Sequence, residues 1–551
     1  MIIDLNKQKN TIILLFFYSL SILIALLTFQ DFGIHIEEKY HRLNGHYWLN
    51  YISKIFGFTG IQNITEIKIN QIYDYTLSSV STYNKYSILF DLPAALFEIL
   101  FKIENVRDVY YLKHILSFFI FLLSSFFFFK VLLIRYRNFN LSFLGLVLYV
   151  TTPRILGDSF LYKDVLFLSI LMFAIYYLIK SINSQNLKYI ILFSLFSALS
   201  VNLRLFAILI PIFFIFFIII KNFDFGNYKK NISKLLLYFF SFLFFLFIFW
   251  PYLWSDPISN FFNLFNYISN DGKIVKLFYN NDYISNNTLH DTYILNWIIL
   301  TSPFLQTILF FLGFFYCFFR LIRRYINIKK NSIHNNLWRG KQEEIDFIFL
   351  IFLILFYFFF VFFNAPLYNG WRLVYFFNIF LIYFSINFLF NIKKVFFNKN
   401  LNKLIISFIF LFLMTYNIYA VIKTHPFQSL YFSSLLSPQM KNGFEGDYYG
   451  LGSKHFFEEF IQKDSRKVVK IGVATHTPLQ RGLEGISKDL QKKIIIVGQE
   501  YDQADYIFKN NISEVNSKLI KKYQIPKNFS KIYELKIDKI IIYEVYKLTK
   551  S

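Results

Sequence analysis

The chain has 551 residues, 56% of them hydrophobic and 17% charged, and its mean hydropathy of +0.44 excludes a water-soluble globular protein. Its formal charge of +23 would suit a nucleic-acid binder only if Lys and Arg gathered on one folded face; here they sit between apolar blocks, which excludes nucleic acid as a partner. The single cysteine, Cys317, lies inside an apolar run, so disulfides and cysteine-based metal sites are excluded as well.

Crossing the hydrocarbon core takes roughly 20 apolar residues. Candidate spans are predicted at 11–29, 115–134, 140–152, 162–179, 189–203, 205–220, 235–253, 303–322, 345–363, 373–391 and 403–421, about eleven in all. No small-residue cleavage site follows the first, where the chain reads Leu27-Thr28-Phe29-Gln30, so it is expected to remain as an anchor. Cations collect in alternate connections: Lys7 and Lys9; Arg135 and Arg137; Lys180 and Lys188; Lys221, Lys229 and Lys230; Arg320, Arg323, Arg324, Lys329 and Lys330; Lys393, Lys394 and Lys399. These are expected on the cytoplasmic side. An odd number of spans then places the C-terminus and the loops 30–114 and 254–302 on the external side.

Within the first loop, segment 84–104 is apolar but interrupted by Asp91 and Pro93, and is expected to lie as an interfacial helix. Composition changes near 425. Ser453 is predicted to cap a helix with Phe456, Phe457, Phe460 and Ile461 on one face, followed by strands at Val468–Ala474 and Ile494–Val497 and an alternating pair within Lys531–Leu548. The expected fold is a polytopic α-helical membrane domain, residues 1–424, with a small external α/β domain, residues 425–551.

Four cations, Arg154, Lys163, Arg204 and Arg372, lie at or close to apolar spans on the external side. A cation at membrane depth costs roughly 2.5–3.5 kcal/mol on insertion scales, so either an anion offsets it or the side chain snorkels to the headgroups. Arg372 follows Tyr368-Asn369-Gly370-Trp371 with no acid nearby in sequence; Gly370 permits a tight turn and Trp371 suits the interface. Asp31 closes the first span, and Glu37-Glu38 follow. A carboxylate facing an enclosed cavity can serve as a general base; the alternative is a solvated loop, or pairing with Lys39 and Arg42. A third segment runs from Thr152-Pro153-Arg154 through Gly157-Asp158 to Tyr162-Lys163-Asp164, where Lys163 and Asp164 either position a phosphate and a hydroxyl or neutralise each other.

These motifs, in this order, resemble the GT-C superfamily of membrane glycosyltransferases, above all glycosyltransferase family 39, the protein O-mannosyltransferase and aminoarabinose transferase branch. Further matches are Asn202-Leu203-Arg204, Trp250-Pro251-Tyr252-Leu253-Trp254, His425-Pro426-Phe427-Gln428 with Tyr431-Phe432, and Phe444-Glu445-Gly446-Asp447-Tyr448. Asn369 and Leu373 depart from the Asp and His of many bacterial relatives. The resemblance implies a GT-C-like fold and transfer of a sugar from a polyprenyl-phosphate donor to a glycan, lipid or protein acceptor, by inverting direct displacement on the periplasmic face of the inner membrane. It implies Glu37 as base, with Glu38 second; Arg372, Arg204, Lys163 and Arg154 on the donor phosphate; and Asp31, Asp158, Asp164, Tyr368 and His425 near sugar or acceptor. No cofactor is expected, although Glu37, Glu38 and Asp158 have the oxygen ligands a divalent metal would need. The competing readings are a transporter or flippase of lipid-linked sugars, which would show paired repeats, and an oligosaccharide polymerase or ligase. With no Walker loop and no Gly-x-Gly at a strand-to-helix junction, nucleotide sugars and ATP have no support.

Overall fold

Without water, backbone polar groups must be satisfied inside the segment that carries them, and long apolar runs therefore become helices. The computed structural model describes residues 2–72, 87–161, 163–222, 228–270, 275–326, 338, 340–392, 399–510 and 521–549. Tyr162, the loop cations Lys329, Lys330, Lys393 and Lys394, and the start of segment 84–104 lie outside the described residues. The described part of each of the eleven predicted runs falls mainly on an α-helix, with 205–220, 235–253 and 373–391 each also crossing a short 3-10 turn. Among the described residues, six helices are long and apolar enough to cross a membrane: Gln8–Thr28, Val106–Tyr136, Asp164–Asn183, Phe304–Ile326, Gly340–Phe362 and Leu404–Thr424. Helices Phe139–Thr151 and Pro153–Phe160 make a seventh span only as a pair bent by 58°. The break falls at Thr152, before a proline that cannot continue the preceding hydrogen-bond ladder. Lys188–Leu203, Leu205–Ile220, Ile232–Ile248 and Phe377–Asn391 are shorter apolar helices.

Arg135 and Arg320, expected among the cytoplasmic loop cations, instead turn inward at the ends of their helices. Arg135 donates to both oxygens of Asp346 at 2.6 and 2.7 Å, and Arg320 donates to one of them at 2.6 Å. Tyr383 and Asn387 donate to the same carboxylate, so this buried acid ties four helices together.

The loop after the first helix is built on helices Glu38–Phe56, Thr59–Ile72 and Asp91–Leu100. The last turns Asp91, Ala94, Ala95 and Glu98 inward and leaves Leu100 exposed. Gly45 lets the first and last of these helices touch, since a Cβ there would stand 2.2 Å from the Asp91 carbonyl oxygen. Arg42 does not pair with Glu37 or Glu38: its guanidinium grips Glu98 at 2.9 and 2.6 Å, joined by His46 Nε2 at 3.0 Å and Lys68 at 3.0 Å. Lys39 lies against Glu484.

Beyond the helix ending at Thr424, the chain forms a five-stranded sheet from β3 (Val469–Val473), β4 (Ile494–Gly498), β5 (Tyr506–Asn510), β6 (Phe529–Ile537) and β7 (Ile540–Leu548), in the order β4-β3-β5-β7-β6. β3 runs parallel to β4 and β5, and β7 antiparallel to β5 and β6. A separate hairpin, β1 (Lys276–Tyr279) with β2 (Asp282–Ser285), sits in the loop 254–302. Ser453 is not the expected cap, because it lies inside helix Gly452–His455; Asp447 accepts from the amides of Leu451 and Gly452 at 2.9 and 2.6 Å. Tyr110 and Tyr111 bind Glu484 and the Gly485 carbonyl, fastening the sheet domain to helix Val106–Tyr136.

Candidate active site

The turn after the first helix is pressed against the C-terminal segment. Gly33 packs so closely on Leu451 that a Cβ would come within 2.4 Å of its carbonyl oxygen, and the Ile36 amide donates to the Tyr449 carbonyl at 3.1 Å. Two local bonds then shape the acidic motif: the Glu37 amide donates to His35 Nδ1 at 2.9 Å, and the His35 amide donates to Glu38 Oε1 at 2.8 Å. His35 must be neutral to accept, and burial pushes its pKa down to about 4. This arrangement sends the two carboxylates in different directions.

Glu38 points into the protein, where His114 Nε2 stands 3.0 Å from it. Glu37 faces a narrow pocket of about 10 Å³, room for roughly one water, lined by His35, Glu37, Glu38, His41, Asp158, Leu161, Lys163, Asp164 and Tyr449. Arg372 Nη2 is 2.8 Å from Glu37 Oε1, and Lys163 Nζ is 3.9 Å from Oε2. The fold thus brings Arg372 an acid partner that its sequence neighbourhood lacks. Burial alone would raise the Glu37 carboxyl, but Arg372 and then Lys163 outweigh it and hold the group well below the usual carboxylate range. The side chain nonetheless remains 31% exposed.

Backbone geometry holds both cations in place. Lys163 has φ of 51° at the start of helix Asp164–Asn183, and Gly370 and Trp371 have φ of 64° and 52° in the turn before Arg372. Strained residues persist only where their surroundings hold them. A Cβ at Gly370 would lie 2.6 Å from Arg154 Nη1 and 2.8 Å from the Tyr448 hydroxyl, so a larger residue would displace both groups as well as strain the positive φ. Trp371 is buried rather than interfacial, and its Nε1 donates to Thr301 at 2.8 Å. The Arg372 guanidinium lies 5.1 Å from the Tyr368 ring centre and 5.7 Å from that of Tyr449.

Of the other expected site residues, Asp158 and Asp164 also line the pocket, whereas Arg204, Arg154, Asp31 and His425 form a surround. Arg204 is paired with Asp164. Arg154 is 1% exposed, donates to the Tyr431 carbonyl at 3.0 Å and lies against the rings of Trp297 and Phe432. Asp31 is partnered by His425 Nε2 at 2.8 Å, and Gln428 donates to the opposite nitrogen of that ring. Among the described residues, no three His, Cys, Asp or Glu side chains converge as a metal site. His35, His41 and Tyr449 were not among the expected residues. His41 carried a usable signal, since it follows Glu37 at helical spacing; Tyr449 had only its place beside the Phe444–Tyr448 motif.

Protein-family models and curated protein sequences give no match to this chain. Among solved structures, the Archaeoglobus fulgidus oligosaccharyltransferase in its apo form is similar over 77% of this chain and 62% of its own, with 9% identity and a TM-score of 0.40. The chain thus spans less than two thirds of that protein's length. ArnT from Cupriavidus metallidurans, bound to undecaprenyl phosphate, is similar over 84% of this chain and 88% of its own, with 11% identity and a TM-score of 0.38. The archaeal oligosaccharyltransferase AglB from Archaeoglobus fulgidus, in complex with an inhibitory peptide and a dolichol-phosphate, covers 77% of this chain and 61% of its own, at 10% identity and a TM-score of 0.40.

Proposed function

We propose that this chain is a membrane glycosyltransferase that moves a sugar from a polyprenyl-phosphate donor to a hydroxyl acceptor on a glycan, lipid or protein. The observation that carries this reading is the convergence of Arg372 and Lys163 on the Glu37 carboxylate in one narrow pocket. A carboxylate is the group needed to take the acceptor proton. Cations beside it are the groups needed to hold a phosphate and to stabilise the charge that grows on it as the sugar leaves. The motif order resembling glycosyltransferase family 39 supports the same chemistry. Direct displacement with Glu37 as base would invert the anomeric carbon.

In this scheme Glu38 serves from behind, fixing the His35 turn, while Arg154 and Arg204 hold the surrounding frame. It assigns no cofactor, since Arg372 and Lys163 supply the positive charge. The alternation of loop cations supports eleven spans, with pocket and sheet domain on the external, periplasmic face of the inner membrane. Membranes containing the chain, supplied with a polyprenyl-phosphate monosugar or with a polyprenyl-diphosphate oligosaccharide, test the reading. Inverted product from the monosugar donor supports it. Product from the diphosphate oligosaccharide alone points to a polymerase or ligase, and lipid movement without cleavage of the glycosidic bond points to a flippase.

A further inference from the structure

The pocket has a second titratable wall. His41 lies one helical turn beyond Glu37, and its amide donates to the Glu37 carbonyl at 3.2 Å, so both side chains rise from the same face of helix Glu38–Phe56. Its Nδ1 stands 3.2 Å from Asp91 Oδ2, and Asn44 donates to that same oxygen at 2.8 Å. An ionised carboxylate only accepts hydrogen bonds, so the imidazole proton sits on Nδ1 and the basic nitrogen is Nε2, on the opposite edge of the ring. Both residues are buried. Burial lowers the His41 pKa, Lys163 and Lys113 lower it further and Asp91 opposes them; His35, Glu37, Glu38, Asp158 and Asp164 share the pocket with the ring. The imidazole is therefore neutral at pH 7 and able to take up a proton.

Resting on the glycosyl-transfer reading above, we propose that His41, oriented by Asp91, is a proton-relay residue that receives the acceptor's proton from Glu37 and resets the base. The acceptor O–H breaks as its oxygen bonds to the anomeric carbon. The bond from that carbon to the phosphate oxygen breaks with its electron pair on the phosphate. The proton passes to a Glu37 carboxylate oxygen, then to Nε2 of His41, and finally to water. The need for a relay follows from turnover: Glu37 must give up the proton before it can pair again with Arg372 and Lys163 and accept from the next acceptor.

The test uses the full-length protein in detergent, with a polyprenyl-phosphate monosugar as donor, and compares wild type, His41→Gln, His41→Ala and Asp91→Asn. The expected result is a fall in kcat of about 10–100-fold for His41→Gln, somewhat below the usual reach of direct general-base loss, with the donor KM unchanged. The acid limb of the wild-type pH profile flattens in both His41→Gln and Asp91→Asn, and added imidazole partly restores His41→Ala. Unchanged kcat and pH profile in His41→Gln overturn the relay while leaving glycosyl transfer intact. A loss of donor affinity together with kcat in all three variants, without imidazole rescue, also overturns it and reduces the pair to packing. Absence of transfer by the wild type is a separate outcome, and overturns the reading on which the relay rests.

Discussion

Replacing Glu37 by Gln should have opposite effects on donor binding and on turnover. In the free protein the carboxylate occupies Arg372 at 2.8 Å and Lys163 at 3.9 Å, which are the groups assigned to the donor phosphate. Unit charges about 4 Å apart interact by ~4 kcal/mol at an effective dielectric of about 20. Glu37 is 31% exposed, and solvent screening reduces the usable part to ~1–2 kcal/mol. Removing the competing carboxylate should therefore tighten polyprenyl-phosphate binding by roughly 5–30-fold. Loss of the base should lower kcat by roughly 10²–10⁴-fold. Equilibrium binding of radiolabelled polyprenyl phosphate to the solubilised protein measures the first effect, and steady-state transfer measures the second. Unchanged or weaker phosphate binding in Glu37→Gln would refute the idea that base and phosphate share these cations.

Arg372→Lys keeps the charge but loses the planar fork and the contacts with the Tyr368 and Tyr449 rings; kcat/KM should fall by about 10–100-fold, whereas equality with wild type would assign Arg372 to membrane anchoring. Asp346→Asn leaves Arg135 and Arg320 buried around a neutral amide, and should cost ~3–5 kcal/mol; an unchanged melting temperature would show that the four helices do not depend on this tie. Burial would raise the Glu98 carboxyl, but hydrogen bonds from Arg42 and His46 outweigh it and depress the pKa. A depressed carboxyl stabilises the fold above its unfolded value and loses that contribution as pH falls, so thermal stability should drop below about pH 4.5 and the drop should be shallower in Glu98→Gln; parallel pH curves for the two would count against the network.

The apolar runs were legible because helix and span share one signal, and the described part of each of the eleven falls mainly on an α-helix. β5 was not: Tyr506–Asn510 is short, and its inward face is set by sheet neighbours distant in sequence. The β1–β2 hairpin was hidden for another reason. Its turn is carried by Asn280 and Asn281 in left-handed conformations, a weak marker in a chain so rich in Asn. At the site, Glu37, Lys163 and Arg372 stood out individually because charge beside apolar sequence is costly. Their meeting did not, since 335 positions separate Arg372 from Glu37. Asp91 was read only as an interruption of an apolar segment, and its meaning emerges when helix packing brings it to His41. Adjacent acids also look equivalent in sequence; only the fold sends Glu38 inward to His114 and Glu37 toward the pocket.

The most direct test of the central claim is transfer of a radiolabelled sugar from a polyprenyl-phosphate monosugar by the purified, reconstituted protein, run beside Glu37→Gln of equal thermal stability. The account predicts inverted product with wild type and a loss of roughly 10²–10⁴-fold with the variant. No transfer by wild type, or equal transfer by both proteins, would contradict it.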